Sequence, residues 1–410
     1  MSMSKSGMNQ AQSSQFAQWL ASSDMGTAID TNSNGQLGPL ELGSELGRRL
    51  CATAHRDYLP NLPLFFVPID HPKSNAYACW LGSFDVVAIT ARLMREVETL
   101  SLRTASYILA VGQKGTDETQ RSSFAQLFAQ APFSEKHLDG LAGLLSQGIL
   151  AFLVGHEVGH LVAGHRGTFE KYQWSKSAVG MGCINEANQA PRDEYIAKVL
   201  NAHEIDADIQ GLQFLLEHWS LVCHNSKRSD GISIDQEVAA KIFHTLLANN
   251  LDRVFMSVLV VSMALALLGF QDYQKGSLLR PTHPLTAVRM LAAAKLLPLM
   301  LGTQSTYTEL IQRQCVEAIS VVHSVLGSIL LDSLALGENF QAAHELKATP
   351  VEGRLDVMLD LTGISPAIRD FESFGMYFKE LACAFEDTAH LRTSHRRWTI
   401  ERIHSWTDKN

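Results

Sequence analysis

The sequence predicts an α+β fold that is mostly α-helical, with a small β-sheet and a helical C-terminal region. Three observations carry this. Two short apolar, β-branched runs, "LPLFFVPID" and "FDVVAIT", flank the turn-like "HPKSNAYAC" between residues 62 and 90. Long stretches with helical periodicity follow, separated by polar breaks. After Pro284 the pattern is helical almost to the end, interrupted at Pro350 and Pro366.

In chain order, residues 1–15 are rich in Ser, Gln and Met and are expected to be mobile, and a helix is expected after Pro39 through "LELGSELGRRLCATAH". The sheet comes next. From "ARLMREVETL" onward the chain reads as helical, with "GQKGTDETQRSS" and "GTFEKYQWSKSAVGMGCINEANQAPRD" as surface loops. A second long helix is expected over Glu194 to Trp219. There is no internal repeat. The organisation expected is an N-terminal segment, 1–38, a metal-bearing domain, 39–300, and a helical C-terminal region, 301–410.

At 410 residues and 46% hydrophobic content, the chain buries a substantial core. The formal charge of −8 comes without a run of like charges, which argues against a nucleic-acid groove or a polybasic membrane surface. Six scattered cysteines without a CxxC pair, and a polar start, fit a reducing, cytoplasmic setting. One segment leaves membrane association as the alternative: "VFMSVLVVSMALALLGF", Val254 to Phe270, is free of charge. It falls slightly short of the roughly 20 residues needed to span a bilayer, and two serines interrupt it, so a core helix is the expected reading. Oligomeric state is not legible.

The chemistry concentrates in "FLVGHEVGHLVAGH", Phe152 to His165. His156 and His160 are four apart, so on a helix their imidazoles share a face, as two positions of a tetrahedral zinc require. Glu157, beside them, suits a general base that takes a proton from zinc-activated water. The apolar run leading into the motif makes unpartnered polar groups costly there. Hydrogen-bonded residues of a polar core pocket would be the bland alternative. His165 does not extend the motif as a third histidine ligand, because that arrangement needs a glycine three and a histidine six residues after His160, and here they are four and five after. His165 is expected at the helix C-terminus, as an imidazolium favoured by the dipole.

The best third ligand lies in "NAHEIDADIQGLQFLLEHW". Glu204 and Asp208 share a helix face, so Glu204 can bind the metal while Asp208 orients a ligand histidine. The alternative is a solvated acidic face. His203 reads as incidental.

With these motifs in hand, the chain resembles the gluzincin metallopeptidases of the HtpX and CAAX-prenyl-protease type. Four stretches carry the likeness in family order from Ser74 to Met290: "SNAYAC" with "FDVVAIT", "HEVGHLVAGH", "HEIDAD" and "THPLTAVRM". The resemblance implies a zincin-like core, zinc held by His156, His160 and Glu204, Glu157 as general base, and Asp208 behind a ligand. It also implies that His283 and Arg289 approach from the far side to steady the substrate carbonyl or oxyanion. The family's membrane members have clear spanning helices, of which this chain has at most the borderline Val254 to Phe270 segment, and residues 293–410 match nothing recognisable.

The expected activity is zinc-dependent endopeptidase cleavage of a protein or peptide substrate, which could add as a strand to the edge formed by "NAYAC" or "FDVVAIT". One alternative is a phage-exclusion peptidase of the Lit type that cuts a single host protein. Another is a non-catalytic zinc-containing binding module, which the intact Glu157 disfavours. A second metal is raised by "DTNSNGQLGPLE", a calcium-loop pattern with Asp30, Asn32, Asn34, the Gln36 backbone and Glu41 as ligands and Gly35 at the turn. It has two carboxylates and no paired loop, and an Asn/Gly turn before the helix is the simpler account.

Overall fold

A computed structural model describes residues 7–29, 39–57, 59, 61–114, 137–172, 175–178, 181–184, 194–226, 246–247, 250–274, 289–290, 292–293, 296–297, 300, 318, 321–322, 325 and 371–391. The α+β, mostly helical expectation holds: one six-stranded sheet lies among long helices.

The N-terminal segment differs from expectation, since a helix, α1 (Gln10–Ser23), begins inside it. Asn9 and Gln12 form a reciprocal capping box that satisfies donors at the helix start, and Phe16, Trp19 and Leu20 are buried. Strand β1 (Thr27–Ala28) and helix α2 (Pro39–Asp57) follow. The sheet then gains β2 (Leu64–Asp70), β3 (Ala76–Trp80) and β4 (Asp85–Thr90). Gly82, at φ 78°, lies in the tight β3–β4 turn, which the Leu81 N–H closes on the Phe84 carbonyl.

Helices α3 (Ala91–Lys114) and α4 (Leu138–Val162) lead to the short α5 (Arg166–Lys171). What reads as one long surface loop after α4 in fact holds α5 and a hairpin of β5 (Ser175–Ala178) and β6 (Met181–Ile184), with Phe169 and Cys183 fully buried. These strands are only four residues long, and β5 is largely polar, so their pairing depends on β3 as a template rather than on a local pattern. Helices α6 (Glu194–Ser226), α7 (Asn250–Gln274) and α8 (Phe371–Asp387) complete the described elements.

The strand order is β1-β2-β4-β3-β6-β5, with β2 and β4 parallel and every other pair antiparallel. Alternation along the strands gives each face its own partner. Val67, Ile69, Tyr77, Cys79, Val86 and Ala88 pack with α1, whereas Phe66, Ala76, Val87 and Ile89 join the main helical core. This order corrects one expectation. Strand β4 is interior, and β3 pairs with β6 at Cys79 and Trp80, so the outermost strands are β1 and β5. Neither "FDVVAIT" nor the C-terminal end of "NAYAC" is an open edge.

The centre of the molecule is α4, packed between α3, α6, α2 and α7. Gly159 allows the α4–α6 contact: an added Cβ would stand 3.0 Å from the Ala207 Cα and 2.9 Å from the Gln210 Cβ. Helix α7 is a core helix, as expected, with Val254 to Leu267 at most 7% exposed. One of its interrupting serines has a reason to be there, since the Ser257 hydroxyl accepts a hydrogen bond from the buried Trp219 indole at 3.2 Å. Among the described residues the one helix long and apolar enough to cross a membrane is α4 itself, two-thirds buried inside the fold. Leu381 and Phe385 of α8, together with Ala318 and Val321, belong to the same apolar cluster as α4.

Candidate metal centre

His156 and His160 project from one face of α4, and the α6 glutamate Glu204 faces them across the tight helix contact. The two Nε2 atoms are 3.1 Å apart, and the Glu204 oxygens lie 3.4 Å from His156 Nε2 and 3.6 Å from His160 Nε2. All three residues are at most 3% exposed. Tetrahedral zinc, at about 2.0–2.2 Å from N and O donors, needs those donors about 3.3–3.5 Å apart. The observed separations, 3.1 to 3.6 Å with a different Glu204 oxygen toward each histidine, lie close to that spacing. Glu204 Oε2 is buried without a hydrogen-bond partner, a costly state that a bound cation would relieve. Among the described residues this is the one group of metal-ligating side chains so arranged.

Each histidine is held from behind. Asp208, one turn beyond Glu204, accepts a hydrogen bond from His156 Nδ1 at 3.0 Å. With its proton on Nδ1, His156 presents the Nε2 lone pair to the triangle. Arg289 donates to Asp208 twice, from Nε and Nη2, at 2.7 Å each. Burial pushes the Asp208 carboxyl up, but the Arg289 guanidinium and His156 together outweigh it and hold the group below the usual carboxylate range. On the other side, His160 Nδ1 lies 2.9 Å from His165 Nδ1, and His165 Nε2 lies 2.9 Å from Asp206 Oδ2.

His156, Glu157, His160, Glu204, Asp208 and Arg289 are all buried in this one region. Arg289 reaches it differently from expectation: its guanidinium is engaged bidentately by Asp208 and stands 3.9 Å from Glu204, so it works on the ligand helix. His283 lies outside the described residues, as do Asp30, Asn32, Asn34, Gly35 and Gln36 of the calcium-type loop. Glu41 sits in the first turn of α2, and no observation supports calcium there.

His165 lies just past the C-terminus of α4, as expected, but is fully buried, with Nε2 2.9 Å from Asp206, a residue to which the sequence reading gives no role. His203, which reads as incidental, packs its ring against His165 at 4.6 Å and lies 2.8 Å from the Val199 carbonyl through Nδ1. A usable signal did exist in Gly164, since a glycine just past a helix end turns the next residue back toward the helix.

A family model described as Peptidase family M48 matches residues 44–297. No curated protein and no solved structure matches the chain. The matched span is more than half of the chain and contains the whole His156, His160 and Glu204 triangle, Glu157, and the Asp208 and Arg289 pair behind it. This chain, with its buried donor triangle on α4 and α6, therefore belongs to Peptidase family M48 and is a metallopeptidase.

Proposed function

We propose that the protein is a zinc-dependent metalloendopeptidase in which His156, His160 and Glu204 hold the metal and Glu157 is the general base. The observation that carries this reading is the donor triangle, with separations of 3.1, 3.4 and 3.6 Å in a buried site next to Glu157. Zinc held there supplies a Lewis acid for the attacking water and the scissile carbonyl. Glu157 takes the proton released as water attacks and delivers it to the leaving amine. Burial and the Cys183 hydrogen bond raise the Cys79 thiol of β3, and the charge of Glu157 adds to that effect. Asp208 keeps the His156 lone pair aimed inward, and Arg289 keeps Asp208 ionised. From the family resemblance, His283 is the residue we assign to steadying the substrate carbonyl or oxyanion.

We place the enzyme in the cytoplasm on the burial of α7, and expect the full chain to stay in the supernatant of a high-speed spin without detergent. Recovery only in detergent would overturn that placement.

Metal analysis combined with a proteome-wide cleavage comparison tests the catalytic reading. Glu157→Gln should retain zinc and lose about 10²–10⁴-fold in rate. Glu204→Ala should lose most of the zinc. Wild-type cleavage by Glu157→Gln would refute the general base, and undiminished zinc in Glu204→Ala would refute the third ligand.

A further inference from the structure

Helix α4 ends in a Schellman turn. Gly164, at φ 70°, sends its N–H to the Leu161 carbonyl at 3.3 Å, and the His165 N–H reaches the His160 carbonyl at 3.1 Å. This turn folds His165 back against the helix, so its ring lies edge-on to that of His160, centroids 5.1 Å apart. The turn thus brings a fully buried histidine against the back of a metal ligand.

The protons of this chain of groups can be assigned from one end. Asp206 as carboxylate only accepts, so the 2.9 Å contact to His165 is a hydrogen bond from Nε2–H. Neutral His165 then has a lone pair on Nδ1, which accepts from His160 Nδ1–H at 2.9 Å. His160 is left with its lone pair on Nε2, facing His156 and Glu204. Asp206 therefore does for His160, through His165, what Asp208 does directly for His156. Asp206 and Asp208 are two apart on α6 and cannot share a helix face, so only a bridging ring lets both carboxylates serve the same centre.

The far side of His165 is covered by an element outside the family match. Phe385 of α8 meets the His165 ring edge-on, centroids 6.2 Å apart, and lies 4.9 Å from His203. A 3₁₀ turn, Ala389–Leu391, then crosses α5, where the Leu391 carbonyl lies so close to Gly167 that an added Cβ would overlap it. Helix α8 is also tied to α6 by the Lys198–Glu380 ion pair at 2.9 Å.

We propose that His165 is a positioning residue for the metal ligand His160, held by Asp206 and clamped by Phe385, so that the C-terminal helix α8 is a working part of the metal centre. This rests on His156, His160 and Glu204 being the ligands.

The test is zinc affinity of the purified full-length chain by chelator competition, together with the visible absorption of its cobalt-substituted form. His165→Ala should weaken zinc binding about 10–100-fold and shift the cobalt bands. His165→Gln, whose amide can still accept from His160, should recover part of both. Phe385→Ala and Gly167→Ala, which loosen the clamp without touching a ligand, should shift both readouts in the same direction by less. The melting temperature of the metal-free protein separates a general loss of stability from an effect on the metal. If His165→Ala does not fold, His165→Gln and Gly167→Ala carry the test. Wild-type affinity and cobalt spectrum in the folded His165 variants would overturn the proposal, as would a fall in stability with both metal readouts unchanged. His160→Ala is the control for the reading beneath it: retained zinc there would overturn the ligand assignment itself, whichever way the His165 variants behave.

Discussion

Asp208 in the metal centre and Asp85 in the sheet are both buried aspartates, and they behave in opposite ways. Asp208 is held below the usual carboxylate range because a bidentate arginine and a histidine outweigh its burial. Asp85, at the start of β4, is pushed up to about 7 by burial, with only the charge of Arg166 pulling the other way. Arg166 itself lies over the Trp80 ring, 5.3 Å from its centroid. The difference teaches that burial sets the cost of a charge and neighbours decide whether the charge is kept. The α4–α6 interface is built to hold ionised groups, and the sheet layer is not.

The largest test removes the cation from the first site. Arg289→Ala strands the Asp208 carboxylate beside the donor triangle and should destabilise the metal-free protein by about 3–5 kcal/mol, as read by chemical denaturation. A loss under 1 kcal/mol would mean that Asp208 is not held as an anion. The sheet should show the reverse sign. A raised folded pKa contributes stability that is complete below the unfolded value of 3.8 and is lost as pH climbs through about 7. Asp85→Asn cannot release a proton and should therefore gain up to about 4 kcal/mol over wild type at pH 8 relative to pH 4, at about 1.4 kcal/mol per pH unit. Equal pH profiles would show that Asp85 ionises normally.

A third substitution acts on packing alone. Gly159→Ala pushes α6 away from α4, should cost about 1–3 kcal/mol, and should weaken zinc binding while leaving the Asp85 pH profile intact. Unchanged zinc affinity would show that the close contact is not what sets the donor triangle. The smallest expected effect is that of Arg166→Ala, about 0.5–1 kcal/mol for the lost contact with Trp80. Because Arg166 lowers the Asp85 pKa, the variant should lose further stability near pH 8 and none of that part below pH 4. A deficit independent of pH would leave the ring contact as the whole effect.

Much of this was readable from spacing. Helical period alone puts His156 with His160, and Glu204 with Asp208, because residues four apart on a helix are neighbours whatever surrounds them. The β-branched runs likewise mark β2 and β4, and burial of α7 follows from an apolar stretch short of a membrane's thickness. Tertiary structure decided the rest. That β4 is interior depends on its parallel pairing with β2, and β3 is covered by a hairpin whose four-residue strands carry no pattern of their own. Arg289 turns to Asp208 from 81 residues away, and His165 finds Asp206 across 41. Periodicity reports which residues share a face, and it is blind to which faces meet. Contacts between distant elements depend on how helices and strands pack, and only the folded chain determines which partner neutralises a buried charge.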